Sequence, residues 1–129
     1  ASLSGENKPE KKTIDIKLAI SAYISDDYIH EDRVRLELYR RLSKASDIQD
    51  IYKIEEEMED RFGKPDIFTK QFIELIIIKI LALNLGIQSI SSYEMNITFT
   101  KANDTKETIK SPSKDDDDII ATTLRYLRK

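Results

Sequence analysis

The stretch from Phe68 to Gly86, FTKQFIELIIIKILALNLG, is apolar on nearly every side of a helical wheel. A helix of that kind has to be covered all round by other elements, so the pattern predicts one central buried helix with the rest of the chain arranged about it. It is not a membrane span. Glu74 and Lys79 interrupt the run, and a bilayer crossing needs about 20 predominantly apolar residues. Gly86 is the expected terminator.

The flanking segments supply the covering layers. Ile14, Ile16, Leu18 and Ile20 alternate with more polar residues, the period-2 signature of a half-buried strand over residues 14–20. Val34, Leu38, Leu42 and Ala45 recur at helical spacing, with Asp32 or a neighbouring carboxylate as the expected N-cap. Between Glu31 and Lys44 the acids gather early and the bases late, which suits the helix macrodipole. A second helix is expected from Ser46 or Asp47, burying Ile48, Ile51, Met58 and Phe62 and stopped by Gly63 and Pro65. After Gly86, IQSISSY and MNITFT have the form of two strands, with ETIKS a third, and DDDDIIATTLRYLRK has the form of a closing helix. The expected fold is therefore α+β: a small, mostly antiparallel sheet packed by about four helices around one buried helix. With 129 residues, one domain is expected over residues 13–129, because about 100 to 200 residues make a single core. Residues 1–12 are polar and aperiodic, as in a disordered linker.

Little catalytic chemistry is available to this chain. Its three glycines form no phosphate-cradling loop, it has no cysteine, and His30 is its single histidine. A net charge of −3 gives no basic excess for nucleic-acid binding. The N-terminal residues lack the apolar run of a signal peptide, so a cytoplasmic protein is expected. A competing possibility is a small carboxylate-dependent hydrolase or nuclease that uses a divalent metal through Asp26, Asp27, Glu31 or the run Asp115 to Asp118. Successive helical residues point about 100° apart, however, so four aspartates in a row do not converge on one ion. Helix capping explains them more simply.

One charged surface stands apart. From Asp47 to Arg61 there are seven acids and two bases, a local charge of −5. Asp50, Lys53, Glu57 and Asp60 lie opposite the stripe of Ile51, Met58 and Phe62 and are expected to face outward. Such a face is either simply solvated or a docking surface for a basic partner, and composition does not choose between them.

The order of motifs adds information. A strand leads into AYISDDYI, followed by RVRLELYRRLSKA, then EEEMEDRFGKP, then an apolar helix closing on LALNLGI. From about Ile14 to Ile90 this resembles the C-terminal domain of bacterial transcription-repair coupling factors. It departs at His30, where relatives tend to carry proline, and beyond Tyr93, where it is shorter. The resemblance implies a domain with no chemistry or cofactor of its own. ATP and Mg²⁺ would be used by a translocase elsewhere in the parent, which would also carry an RNA-polymerase-binding module and a module similar to UvrB. The domain would dock on that UvrB-like module, mask its surface for UvrA and so hold the parent repressed. Carried over by position, Glu57 and Asp60 would meet basic residues of that module. Arg61, Phe62, Gly63 and Gly86 would be structural, Asp26, Asp27 and Asp32 would cap and steer the strand-to-helix junction, and Tyr28 and Ile29 would pack against the helices.

Overall fold

The structure is a computed structural model and describes residues 14–128. The linker expected at residues 1–12 lies outside these. Along the chain run β1 (Asp15–Lys17), α1 (Asp32–Lys44), α2 (Ile48–Phe62), α3 (Ile67–Asn84), β2 (Ile87–Tyr93), β3 (Asn96–Lys101), β4 (Lys106–Lys110) and α4 (Asp116–Leu127). The architecture is α+β, as expected, with α3 in the middle.

α3 packs against α1, α2, α4 and β2, and this accounts for its lack of a polar side. Ile73, Ile76, Ile77 and Ile80 join Leu38, Leu42, Ile51, Ile54 and Met58 in one apolar cluster. Ile78 and Ala82, on the other side of α3, join Ile87, Ile90, Ile97, Phe99, Ile119 and Ile120 in a second. Neither α1 with α2 nor the sheet with α4 could bury its apolar stripe without α3.

The sheet has the order β1-β2-β3-β4, with β2, β3 and β4 antiparallel and β1 parallel to β2. In one inner row Ile16 pairs with Ile90 and Ile90 with Phe99, while Ile97 pairs with Ile109 in the next. Ile87 and Ile90, three residues apart, are both buried, although a regular strand would turn them to opposite faces. A register shift between Ile87 and Ser89 resolves this, because one extra residue restores the facing.

The first strand is shorter than the alternation predicted: three residues instead of seven. Beyond Lys17 the chain leaves the ladder. The Ala19 N–H turns to the Ser92 hydroxyl at 3.0 Å, and the Ile20 N–H closes a tight turn on the Leu18 carbonyl at 2.9 Å. Ile14, Ile16, Leu18 and Ile20 still pack on the second cluster, so the period-2 burial is present without the hydrogen bonding.

Capping also differs in part. Glu31 occupies the N-cap of α1 and makes no side-chain cap; Asp32 sits inside the first turn and pairs with Arg35. Asp26 and Asp27 do not cap either. The turn they occupy is held by Ser25, whose hydroxyl accepts from the Asp27 N–H at 3.0 Å and whose carbonyl accepts from Tyr28 and Ile29. Asp47 caps α2 through the Gln49 N–H at 2.9 Å, as expected. α3 begins before Phe68, with Asp66 as N-cap accepting from the Thr69 N–H at 2.9 Å.

Burial works to raise the Asp66 carboxyl, but hydrogen bonds from the Thr69 N–H, the Thr69 hydroxyl and the Ser25 hydroxyl outweigh it and hold the group below its ordinary value of 3.8. A folded-state value below the unfolded one makes the contribution complete above the unfolded value and lost as pH falls through the folded one. Asp66→Ala should therefore cost about 1 kcal/mol at neutral pH. In urea melts across acidic pH the gap between variant and parent should close; a gap independent of pH would refute the assignment.

Candidate docking surface on the second helix

α2 presents its apolar stripe to α1 and α3 and most of its acids outward. Ile51 and Met58 are fully buried and Ile54 nearly so. Asp50, Lys53, Glu56, Glu59 and Asp60 are exposed. Glu56, Glu59 and Asp60 stand three and four residues apart and so share one side of the helix.

Glu57 behaves differently from its neighbours and from the expectation of an outward-facing acid. It is half-buried, and Arg41 of α1 clamps both its oxygens, at 2.7 and 2.9 Å. Arg61 approaches to 3.5 Å. The Arg41 hydrogen bond is the main reason the Glu57 carboxyl lies below the usual range, and the same bond raises Arg41 further. Asp50 and Lys53, together with Arg41, Lys44, Ala45 and Ile54, line an open groove beside this pair. On the opposite flank Lys70 of α3 ties to Glu55 at 2.8 Å. The role of Arg41 was not legible from the sequence, because it depends on the relative register of two helices.

The motifs DDYI and DRFG meet at the C-terminal end of α2. The Tyr28 hydroxyl donates to the Gly63 carbonyl at 2.6 Å, with the Met58 carbonyl at 3.2 Å. Its ring meets Phe62 edge-on at 5.9 Å, and the Arg61 guanidinium covers Phe62 at 4.8 Å. Burial, with Glu59, Asp66 and Glu55 nearby, pushes the Tyr28 hydroxyl up to about 12, so it remains a donor at any physiological pH. Ile29 is buried in the first cluster. Gly63 and Gly86 both have positive φ, +87° and +74°, as helix terminators should.

The aspartate run at α4 disperses instead of converging. Asp116 accepts from the Ser21 N–H at 3.0 Å, Asp117 from the Gln71 amide at 3.3 Å and Asp118 from the Ser113 hydroxyl at 2.6 Å. Asp115 is the N-cap residue but makes no side-chain cap. These side chains fasten α4 to the N-terminal segment, to α3 and to the preceding loop. Among the described residues no three His, Asp or Glu side chains are grouped so as to hold a metal ion, and His30 is exposed. No helix of the described residues is long and apolar enough to cross a membrane.

Comparison with known proteins bears on what carries this surface. Residues 18–111 match the sequence model of the TRCF domain family. A transcription-repair-coupling factor of Helicobacter pylori strain J99 is 46% identical over 125 residues, covering 97% of this chain and 12% of the relative. The alignment thus takes in most of the segment beyond Tyr93. The factor of Rickettsia prowazekii is 32% identical over 77 residues, 60% of this chain and 7% of the relative. Among solved structures, a crystal structure of the C-terminal domain of transcription-repair coupling factor superposes with a TM-score of 0.64 at 24% identity, covering 67% of this chain and 54% of that one, which establishes likeness of fold. The chain spans only about an eighth of the length of the curated Helicobacter pylori relatives. The α+β arrangement about α3 and the match over 18–111 together show that the chain belongs to the TRCF domain family of transcription-repair coupling factors.

Proposed function

We propose that this chain is a non-catalytic docking domain that restrains its parent protein by lying on a UvrB-like module of the same chain and masking that module's surface for UvrA. The observation that carries this is the state of the α2 acids. Asp50, Glu56, Glu59 and Asp60 are exposed and, among the described residues, have no ion-pair partner, while Arg41 has already claimed Glu57. A row of unsatisfied carboxylates on a rigid helix gives orientation and specificity toward a basic surface. An intramolecular contact needs little intrinsic strength, since a short linker supplies an effective concentration in the millimolar range. Contact with UvrA and RNA polymerase is then indirect, ATP and Mg²⁺ serve other modules, and the setting is the bacterial cytoplasm. Asp60, with Asp50 and Lys53 along the same helix, makes the contact, and Glu57 contributes by sharing its charge between Arg41 and the partner.

Capture of the parent by immobilised UvrA tests this in four forms: intact, lacking this domain, Asp60→Lys, and Glu57→Lys. Deletion and Asp60→Lys should each increase capture, and Asp60→Lys should leave the melting of the isolated domain unchanged. Glu57→Lys should also increase capture, but here it replaces the Arg41 pair with repulsion from Arg41 and Arg61. Half-exposed as it is, that pair stabilises the domain by about 1 kcal/mol after screening, so its midpoint should fall. Unchanged capture on deletion would end the restraint hypothesis, and activation by deletion but not by Asp60→Lys would move the contact to another face.

A further inference from the structure

A second surface, which adjoins the α2 groove at Lys44 and Ala45, has the opposite charge. The C-terminal halves of α1 and α3, with Ile14, enclose a groove of ≈ 740 Å³. Among the described residues its charged lining is Arg40, Lys44 and Lys79, with no acid. None of the three cations has an ion-pair or hydrogen-bond partner through its side chain among the described residues. Between them the groove shows aliphatic surface from Leu83 and Ala45, with the buried Ile80 beneath. This grouping sits on a chain whose net charge is −3.

Helix macrodipoles account for only one of these cations. A cation is favoured within the last turn of a helix, which fits Lys44 at the end of α1. Arg40 lies a full turn earlier, and Lys79 precedes the last turn of α3, which ends at Asn84. Lys79 is half-buried on the most apolar helix of the fold. Lys44 also borders Asp50 in the adjoining groove, but within this one three like charges are gathered with no acid among the described lining residues; they repel one another, and an anionic ligand would relieve this.

We infer that this groove binds an acidic peptide segment of a partner protein that also carries aliphatic side chains, the acids meeting Arg40, Lys44 and Lys79 and the aliphatic groups seating on Leu83 and Ala45. The volume lies within the range of ligand pockets, about 300–1,000 Å³, and far exceeds that of a single small anion. A nucleic-acid strand fits less well. Among the described residues no aromatic side chain lines the groove to stack a base, as single-strand sites use, and the aliphatic floor would be wasted on a phosphate backbone.

The test is fluorescence anisotropy of a short labelled peptide rich in glutamate and leucine, titrated with the full 129-residue chain. Comparison probes are the same peptide with lysine for glutamate, one with glycine for leucine, and labelled oligothymidylate. The glutamate–leucine peptide should bind, more weakly as salt rises, and the comparison probes should bind poorly. The variant Arg40→Gln/Lys44→Gln/Lys79→Gln should weaken binding by about tenfold or more while melting at the same temperature as the parent or higher, since repulsion has been removed. A lower melting temperature would assign the cations a structural role and overturn the inference. So would absence of peptide binding, equal binding by the variant, tighter binding of oligothymidylate than of the peptide, or self-association that the variant abolishes, which would make the occupant a second copy.

Discussion

Phe99→Ala should lower the stability of the domain by about 3–5 kcal/mol in a urea melt, the range found when a fully buried aromatic is truncated. Phe99 has no exposed surface. It lies on the inner face of β3 opposite Ile90 and Glu107, and its ring stacks on Tyr126 of α4 with centroids 4.0 Å apart and planes 15° from parallel. Truncation therefore leaves a cavity and also loosens the seam between the sheet and the closing helix, whose Tyr126 hydroxyl donates to Glu107. Tyr93→Ala is the control. Its side chain is 77% exposed, and substitutions at such sites stay within about ±0.5 kcal/mol. A loss below about 1 kcal/mol for Phe99→Ala would mean that the second apolar cluster is not the cooperative core described above.

Gly63→Ala should cost about 1–3 kcal/mol, and the cause is purely conformational. Gly63 has φ +87° and ψ −173°, a region that only glycine enters readily. A Cβ placed there would meet nothing within 4 Å, so crowding is not the difficulty. The backbone is locked in that shape from two sides: the Gly63 N–H closes on the Glu59 carbonyl at 2.9 Å, and its own carbonyl accepts the Tyr28 hydroxyl at 2.6 Å. Alanine must either adopt the strained conformation or release Tyr28 and unwind the end of α2. Equilibrium denaturation gives the magnitude, and Tyr28→Phe in the same background separates the routes. If the glycine is held mainly by Tyr28, the two losses will not add; a neutral Gly63→Ala would contradict the backbone geometry.

Much of this fold could be read from periodicity. IQSISSY corresponds residue for residue to β2, and the apolar-all-round run corresponds to α3 within a residue or two at each end. These features were legible because burial on one face, or on all faces, leaves a direct imprint on the sequence. Segments that depend on a distant partner were less so. The alternation through Ile20 correctly indicated burial but overstated pairing, because whether a strand continues depends on the backbone groups opposite it, and here the Ser92 side chain takes the next N–H. The aspartates before α1 looked like caps, whereas Ser25, which carries no charge to attract notice, holds the turn. For the candidate surface, the acidic composition of α2 was plain in the sequence. That Glu57 is clamped by Arg41 while Asp60 is left unpaired was not, since it depends on how α1 and α2 lie across each other.

The parallel pairing of β1 with β2 has a consequence in time. Asp15 to Lys17 lie against Ser89 to Ser91, so this ladder joins points separated by α1, α2 and α3, whereas β2, β3 and β4 follow one another through short turns. The entropy of closing so long a loop must be met before a three-residue ladder can reward it. During folding, the meander can form early and α3 can dock onto it, with β1 arriving last to complete the sheet. In the native state the order should reverse within the sheet: of its four strands β1 is the shortest, at three residues, and the edge of β2 is expected to open there before the rest of the sheet yields.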